Sequence, residues 1–228
     1  MNLSSIILQV TDTLINSPEA EEIKLSLWEL AKQGGWIMIV LAIFSVIAVY
    51  IFTERFITIN KASKKDDNFM NMIRNYMIEG KLDDAKDLCK QTDSSISRMI
   101  EKGISRIGKP LNDIQTAIEN VGNLEVSKLE KGVALLGMIS GAAPMLGFLG
   151  TVSGMIRAFY DMSMAGNNID IELLSAGIYE AMVTTVGGLF VGILAYIFYN
   201  IIVSKIDKVV NLLESKSIEF MDVLNEPA

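Results

Sequence analysis

The sequence contains no histidine, one cysteine and only four prolines in 228 residues. Without histidine, the chain has no imidazole for acid–base catalysis, for a metal site or for a pH switch near neutrality. The lone Cys89 has no partner for a disulfide within the chain, and we interpret it as a residue that fills space in a helix. No basic run is interleaved with aromatic residues, which argues against nucleic-acid binding. No nucleophile, base and orienting group can be combined, so we expect no enzyme, cofactor or metal.

Apolar side chains, in contrast, are abundant: 50% of the residues are hydrophobic and the mean hydropathy is +0.37. Residues 36–53 form an uncharged run that is long enough to span a bilayer, and basic residues follow it at once. By the positive-inside rule that end is cytoplasmic. We therefore predict a first transmembrane helix over 34–54, preceded by a periplasmic amphipathic segment over 1–33. The first residues lack a basic stretch, so a cleavable signal peptide is not expected.

Two further spans are predicted over 134–160 and 171–203, joined by a short periplasmic loop over 161–170. Each span carries a stripe of small residues at helical spacing, a pattern that lets membrane helices pack closely. The stripes are Ala143, Gly147, Thr151, Gly154 and Ala158 on the second span, and Gly177, Ala181, Thr185, Gly188, Gly192 and Ala195 on the third. Counting about 1.5 Å per residue, two antiparallel helices would place Thr151 and Thr185 at one depth.

The two threonines allow two interpretations. A threonine in a membrane helix often bonds only the carbonyl one turn earlier in its own helix. A pair at one depth on two small-residue stripes instead indicates a polar ring in an otherwise apolar channel. Threonine does not titrate near neutral pH, so a titrating carboxylate would come from elsewhere, for example from a partner helix.

Three other residues in these spans stand out. Glu180 is the only carboxylate well inside a span, which makes it a functional candidate, although it can also be a carboxyl near the outer interface without a transport role. Arg157 is interpreted either as a snorkelling side chain with Asp161 as its exposed partner or as part of the outer mouth of a pore. Pro144 removes a backbone hydrogen bond and is predicted to kink the second span.

Residues 55–133 are predicted to form a cytoplasmic helical domain of four helices. The first starts at Asp66 or Asp67 and ends near Gly80, and the second covers 82–90. Ser94 or Ser95 caps the third, which Gly108 stops, and Pro110 is the first residue of the fourth. No terminator is evident after it, so we expect the fourth helix to run unbroken into the second span.

The third span is predicted to continue as a cytoplasmic C-terminal helix over 204–228. Its apolar face is expected to pack against a stripe on the fourth helix, formed by Ile114, Ile118, Val121 and Leu124. The predicted fold is therefore an all-α membrane protein with three transmembrane helices, the second and third extended into a cytoplasmic helical bundle. The N-terminus would be periplasmic and the C-terminus cytoplasmic.

Two stretches resemble the proton-channel family of MotA, TolQ and ExbB: GAAPMLGFLGTVSGM at 141–155 and GIYEAMVTTVGGLFVGILAYIFYN at 177–200. GGW at 34–36 and ERF at 54–56 add to the likeness. Flagellar stators of this family have four spans, so three spans favour the TolQ/ExbB branch.

The resemblance implies a homopentamer in the bacterial inner membrane, with the second and third spans around a central pore. A dimeric single-span partner of the ExbD or TolR type would sit inside, its aspartate carrying the proton, and a TonB- or TolA-type transducer is a further possible partner, besides membrane lipid. The resemblance maps the proton pathway onto Thr151, Thr185 and Glu180, and helix packing or kinking onto Pro144, Gly147, Gly154 and Gly188. Arg157 would lie at the outer mouth.

Such a complex would use the proton motive force to energise outer-membrane transport or envelope maintenance. A different class of function remains open, namely a structural membrane scaffold of an envelope complex that conducts no ions. The small-residue stripes fit both functions, whereas the depth-matched threonines and Glu180 favour the channel.

Overall fold

The computed structural model describes residues 35–62, 67–92, 94–164 and 171–225, so the amphipathic segment predicted over 1–33 and the loop residues 165–170 lie outside it. All regular elements in the described part are helices, as the predicted fold class requires. They are α1 (Gly35–Ala62), α2 (Asp67–Ile78), α3 (Leu82–Gln91), α4 (Ser95–Ile104), α5 (Leu111–Glu130), α6 (Val133–Met164) and α7 (Ile171–Asn225). Three helical segments are long and apolar enough to cross a membrane, in α1, in α5–α6 and in α7.

The longest helix, α7, runs for 55 residues without a break. No glycine or proline occurs between Gly192 and Pro227, so nothing in the sequence interrupts the backbone hydrogen bonds beyond the apolar span. The third span and the C-terminal helix are therefore one element, as expected.

The predicted unbroken helix from the fourth helix into the second span is wrong. α5 ends at Glu130, and a two-residue turn at Lys131 and Gly132 separates it from α6. Gly132 has a φ of 82°, the left-handed conformation that commonly ends a helix one residue past its cap. The guanidinium of Arg55 in α1 donates a hydrogen bond of 2.9 Å to the carbonyl of Lys128, one of the last carbonyls of α5. The turn thus has a glycine to form it and an arginine to hold it.

Helix α1 packs along α7 and extends to Ala62, about two turns beyond the predicted end of the span. Phe52 stacks on Phe198 with ring centroids 4.2 Å apart. Lys205 donates a hydrogen bond of 2.6 Å to the side chain of Asn60 and lies 4.1 Å from the ring centroid of Phe56. These contacts hold the C-terminal half of α1 against α7.

Helices α2 to α5 pack with the C-terminal half of α7 in what we call the extramembrane bundle. Gly80 and Gly108, both at positive φ, lie in the turns that follow α2 and α4. Ser94 is the N-cap of α4 in a capping box with Ser97. Pro110 is the N-cap of α5 rather than its first residue, so that prediction was off by one position.

The core of the bundle is built from large apolar side chains, and Ile73, Ile100, Ile118 and Phe220 are among those that are fully buried. The predicted contact between the α5 stripe and the C-terminal part of α7 is present, but the stripe is rotated. Leu124 is 56% exposed. The buried face of α5 instead follows Ile114, Ile118, Gly122, Glu125 and Leu129.

Glu125 is therefore a buried carboxylate, and it is fully partnered. It accepts hydrogen bonds from Ser95 at 3.0 Å, from Arg98 at 2.6 Å and from Lys128 at 2.6 Å. Burial alone would raise its pKa, but these charged and polar donors outweigh burial and lower the pKa of Glu125 to about 2. The cluster joins α4 to α5 inside the bundle.

Cys89 is buried in α3, as the sequence interpretation expected. Burial raises the pKa of its thiol to about 12, and the nearby charge of Glu101 acts in the same direction. The thiol is therefore protonated at neutral pH and unreactive, which fits a packing residue.

Candidate functional site

Helices α6 and α7 approach each other closely, with glycine backbones in contact. A Cβ on Gly188 would lie 2.6 Å from the carbonyl oxygen of Ala143, and one on Gly147 would lie 3.1 Å from the Cα of Gly188. A Cβ on Gly154 would lie 3.0 Å from the Cβ of Ala181. Because the obstacles are mostly backbone atoms, they cannot move aside without separating the helices. All three glycines predicted to pack the spans thus lie in the α6–α7 contact.

Pro144 lies in the same contact, with its ring against Gly192. A Cβ on Gly192 would be 2.5 Å from the proline Cγ. Helix α6 continues through Pro144 from Val133 to Met164, so the proline sits inside one helix and not at its end. Gly192 is thus the residue that makes room for the proline ring.

The two predicted threonines lie within about one helical turn of each other along this contact. The hydroxyl of Thr185 donates a hydrogen bond of 3.0 Å across the helix pair to the carbonyl of Gly147, which lies one turn before Thr151. The hydroxyl of Thr151 donates to the carbonyl of Phe148 in its own helix at 2.6 Å. Local bonding, one of the two interpretations of the threonines, is present for both, since Thr185 also lies 3.5 Å from the carbonyl of Ala181 in its own helix, but only Thr185 has a bond between helices.

A third hydroxyl, that of Thr184, was not recognised as a site residue from the sequence. It is 2% exposed, and it donates to the carbonyl of Ala181 at 2.7 Å. Its side chain fills the place where a Cβ on Gly150 would be. Gly150 lies opposite Thr184 in the helix pair. A glycine on one helix at the depth of a threonine on the other is the pattern that could have identified Thr184.

Glu180 lies on a different side of α7 from Thr185. The two residues are about 140° apart around the helix, and Thr184 lies between them in direction, about 100° from Thr185. We call the side that carries Thr151 and Thr185 the threonine face. Glu180 belongs to a separate polar region, on another side of α7 from the hydroxyl that bonds Gly147.

That separate region is a small cavity of about 60 Å³ between α1, α6 and α7, which we call the carboxylate pocket. Residues of all three helices line it: Trp36, Ile37, Gly150, Ser153, Gly154, Arg157, Glu180 and Thr184. Arg157 and Glu180, of opposite charge, thus border one cavity within a single chain. Arg157 thus shares a cavity with Glu180, and it lies in the C-terminal part of α6.

The described residues offer no cluster of three or more carboxylate, histidine or cysteine ligands for a metal ion. Within that part of the chain, the carboxylate pocket has room for water beside a carboxylate, a guanidinium and hydroxyl groups.

Comparison with known proteins decides the family. The model of the MotA/TolQ/ExbB proton channel family matches residues 91–215, which is more than half of the chain. The chain belongs to this family. The match covers α4 and α5, the α6–α7 contact with both threonines, and Glu180.

Several relatives show the same kinship. A protein named as an ExbB homologue from Methanothermobacter thermautotrophicus is 27% identical over 187 residues, covering 82% of this chain and 66% of the relative. An ExbB-like protein of Synechocystis is 27% identical, covering 75% of this chain and 68% of its own length. The Tol-Pal system protein TolQ of Haemophilus influenzae is 33% identical over 100 residues, 44% of this chain and 42% of TolQ. This chain spans about two thirds of the length of the first two relatives.

Family membership and the three apolar helices make this chain a multi-pass membrane protein of the inner membrane. Its family role is that of a proton channel that energises envelope transport, and members are channel and transport-energising proteins rather than known enzymes.

Proposed function

We propose that this chain forms the wall of a proton channel whose path follows the threonine face of the α6–α7 pair. The observation that carries the proposal is the hydrogen bond from Thr185 to the carbonyl of Gly147, one turn from Thr151, inside an uncharged helix contact. It places the hydroxyl of Thr185 within about one helical turn of Thr151 in a contact that carries no charge at this level. Since threonine does not titrate near neutral pH, a carboxylate on a partner helix completes the path.

The proposed assembly is a homopentamer around a dimeric single-span partner of the ExbD or TolR type, with a TonB- or TolA-type transducer as a further partner. The exposed apolar surface of the two pore helices supports an assembly: Met145 is 73% exposed, Phe148 67% and Val186 67%. Side chains of this kind need lipid or protein around them. The proposed orientation has the extramembrane bundle in the cytoplasm and the N-terminus in the periplasm, which the basic residues Arg55, Lys61, Lys64 and Lys65 after the first apolar run support. The machine would then energise outer-membrane transport or envelope maintenance.

Glu180 has a secondary part in this proposal. It lies off the threonine face, in the carboxylate pocket near the outer end of the spans, with Arg157 bordering the same cavity. From there it adjusts proton entry at the outer end, while Thr151 and Thr185 line the path itself.

A structural scaffold without ion conduction is the competing function. The glycine contacts of α6 and α7 support it equally well, because they would assemble an oligomer in either case. The scaffold predicts that the activity of the complex survives collapse of the proton gradient, whereas the channel predicts that it is lost.

The deciding experiment is proton uptake by proteoliposomes that hold this protein with its co-purified single-span partner, under an imposed pH gradient. We expect uptake only when the partner is present, and a loss of about tenfold or more in Thr185→Val, since placing a group correctly can contribute more than this. Thr53→Val is the matched control. Thr53 also lies in a spanning helix, but its hydroxyl donates to the carbonyl of Val49 in the same helix, at 2.7 Å.

Full uptake by Thr185→Val and Thr151→Val, in a normally assembled complex, would contradict the threonine path. No uptake under any condition by an intact complex would favour the scaffold. Uptake without a partner would move the central role to Glu180.

A further inference from the structure

Glu180 is in contact with the first residue of α1. A Cβ added to Gly35 would lie 2.5 Å from the carboxylate oxygen Oε1 of Glu180 and 3.7 Å from its Cδ. Gly35 also has a φ of 64°, a conformation that side chains disfavour. Two independent features, the close approach and the backbone angle, therefore select glycine at this position.

The neighbours of Gly35 enclose the same carboxylate. Trp36 and Ile37 line the carboxylate pocket, and Ile37 is 4% exposed, so this end of α1 is anchored on the α6–α7 pair. The N-terminal end of a helix also carries partial positive charge, which favours a nearby carboxylate. Thus the start of α1 closes one side of the pocket, while Arg157 and Thr184 border others.

The pocket is suited to water as well as to the carboxylate. Its volume of about 60 Å³ exceeds what one water needs, and Ser153, Thr184, Arg157 and Glu180 supply the polar partners that a bound water requires. A carboxylate held here has room for water beside it and shares the cavity with a cation, which favours its place in a spanning segment.

We propose that Gly35 is a positioning residue for Glu180: by lacking a side chain, it lets the start of α1 close over the carboxylate and fix it in a hydrated pocket beside Arg157. The first span then sets where the outer carboxylate of the channel lies, in addition to anchoring the protein in the membrane. This inference rests on the proposed role of Glu180 in proton entry.

Gly35→Ala tests the inference in the full-length protein with its co-purified partner. The variant is expected to lower proton uptake by about tenfold, since small displacements of a functional group can cost more than this. Gly80→Ala is the matched control, because Gly80 has a similar φ of 71° but open space where the Cβ would go. It reports the cost of the backbone angle alone, and its uptake is expected to stay near that of the wild type.

A second substitution separates positioning from general damage. Glu180→Asp shortens the side chain by one methylene and makes room for the Cβ, so Gly35→Ala combined with Glu180→Asp is expected to take up protons faster than Gly35→Ala alone. In melting experiments, Gly35→Ala should lower the Tm less in a Glu180→Ala background than in the wild type, because the obstacle is gone.

The possible results are distinct. Uptake by Gly35→Ala equal to that of Gly80→Ala, no rescue by Glu180→Asp, or an equal Tm loss in both backgrounds overturns the positioning role. Full uptake by Glu180→Gln overturns the role of Glu180 itself, and the positioning role with it. A loss in Glu180→Gln without a loss in Gly35→Ala overturns the positioning role alone.

Discussion

The α6–α7 contact and the extramembrane bundle are two helix assemblies built from different materials. In the membrane contact, glycines bring backbones together, and Gly147 and Gly188 have no side chain to bury. In the bundle, large side chains such as Ile100, Ile118 and Phe220 are fully buried, and an ionic cluster joins α4 to α5. The same chain thus solves helix packing in two ways.

The difference follows from the solvent. In water, burial of apolar surface stabilises by about 25 cal/mol per Å². For a large side chain this gain exceeds the conformational entropy that the side chain loses on burial. Lipid is as apolar as the side chains, so this gain disappears, and close packing with hydrogen bonds between helices takes its place. A substitution that adds atoms should therefore damage the membrane contact most, and one that removes charge should damage the bundle most.

The largest effect is expected from Gly188→Val. Its Cβ would meet the Ala143 carbonyl at 2.6 Å, so the helices must separate, and we expect destabilisation by more than about 3 kcal/mol, above the usual cost of overpacking. Yield, monodispersity and Tm in detergent measure it. Gly141→Val, in the same helix pair but with nothing within 4 Å of its Cβ, is the control. Equal damage in both variants would contradict a special role for the backbone contact.

Glu125→Gln should have the next largest effect, in the bundle. The lowered pKa of Glu125 corresponds to about 3 kcal/mol of stability. That contribution is complete above the ordinary pKa of 4.5 and is lost as the pH falls to about 2. The difference in the free energy of unfolding between wild type and variant should therefore shrink below pH 4.5. Denaturation at several pH values measures this.

Glu130→Gln serves as the control for that experiment, because Glu130 lies in the same helix but is exposed. It should change stability little at any pH. A Glu125→Gln effect that does not depend on pH would show that volume, and not charge, accounts for the loss.

The smallest effect is expected for the pair Thr185→Val and Thr184→Val. Thr185 loses a bond between helices and should lose up to about 1 kcal/mol, as such bonds contribute in membranes. Thr184 bonds within its own helix, so the loss should be smaller still. Melting curves in detergent compare the two. A larger loss for Thr184 would mean that packing against Gly150, and not the bond across the pair, stabilises the contact.

The spans were predictable from sequence because their signals are local. An uncharged run of bilayer length, or a glycine or serine at a helix end, can be recognised without knowledge of the tertiary structure. The level of Thr151 and Thr185 followed from counting residues along two helices. One local signal, Gly132, was overlooked because apolar residues continue on both sides of it. The turn between α5 and α6 was therefore missed.

What could not be predicted depends on a third helix. The sequence showed that Glu180 points away from Thr185, but not that α1 begins at that carboxylate or that Arg157 borders the same cavity. Glu125 was missed because it falls at helical spacing on an otherwise apolar stripe, where an acid is unexpected until Ser95 and Arg98 are in place. Residues that act through long-range partners are those that local patterns leave out.

The unbroken α7 has a mechanical consequence. At about 1.5 Å per residue, its 55 residues form a rod about 80 Å long. The C-terminal end at Asn225 lies about three times farther from Thr185 than the N-terminal end at Ile171 does. If α7 tilts about the position of Thr185, a small displacement of its N-terminal end produces a larger displacement of its C-terminal end. Its neighbour cannot follow as one body, since the turn at Gly132 divides α5 from α6. The protein thus combines one continuous helix, α7, with a neighbouring pair of helices, α5 and α6, that can change their angle at Gly132.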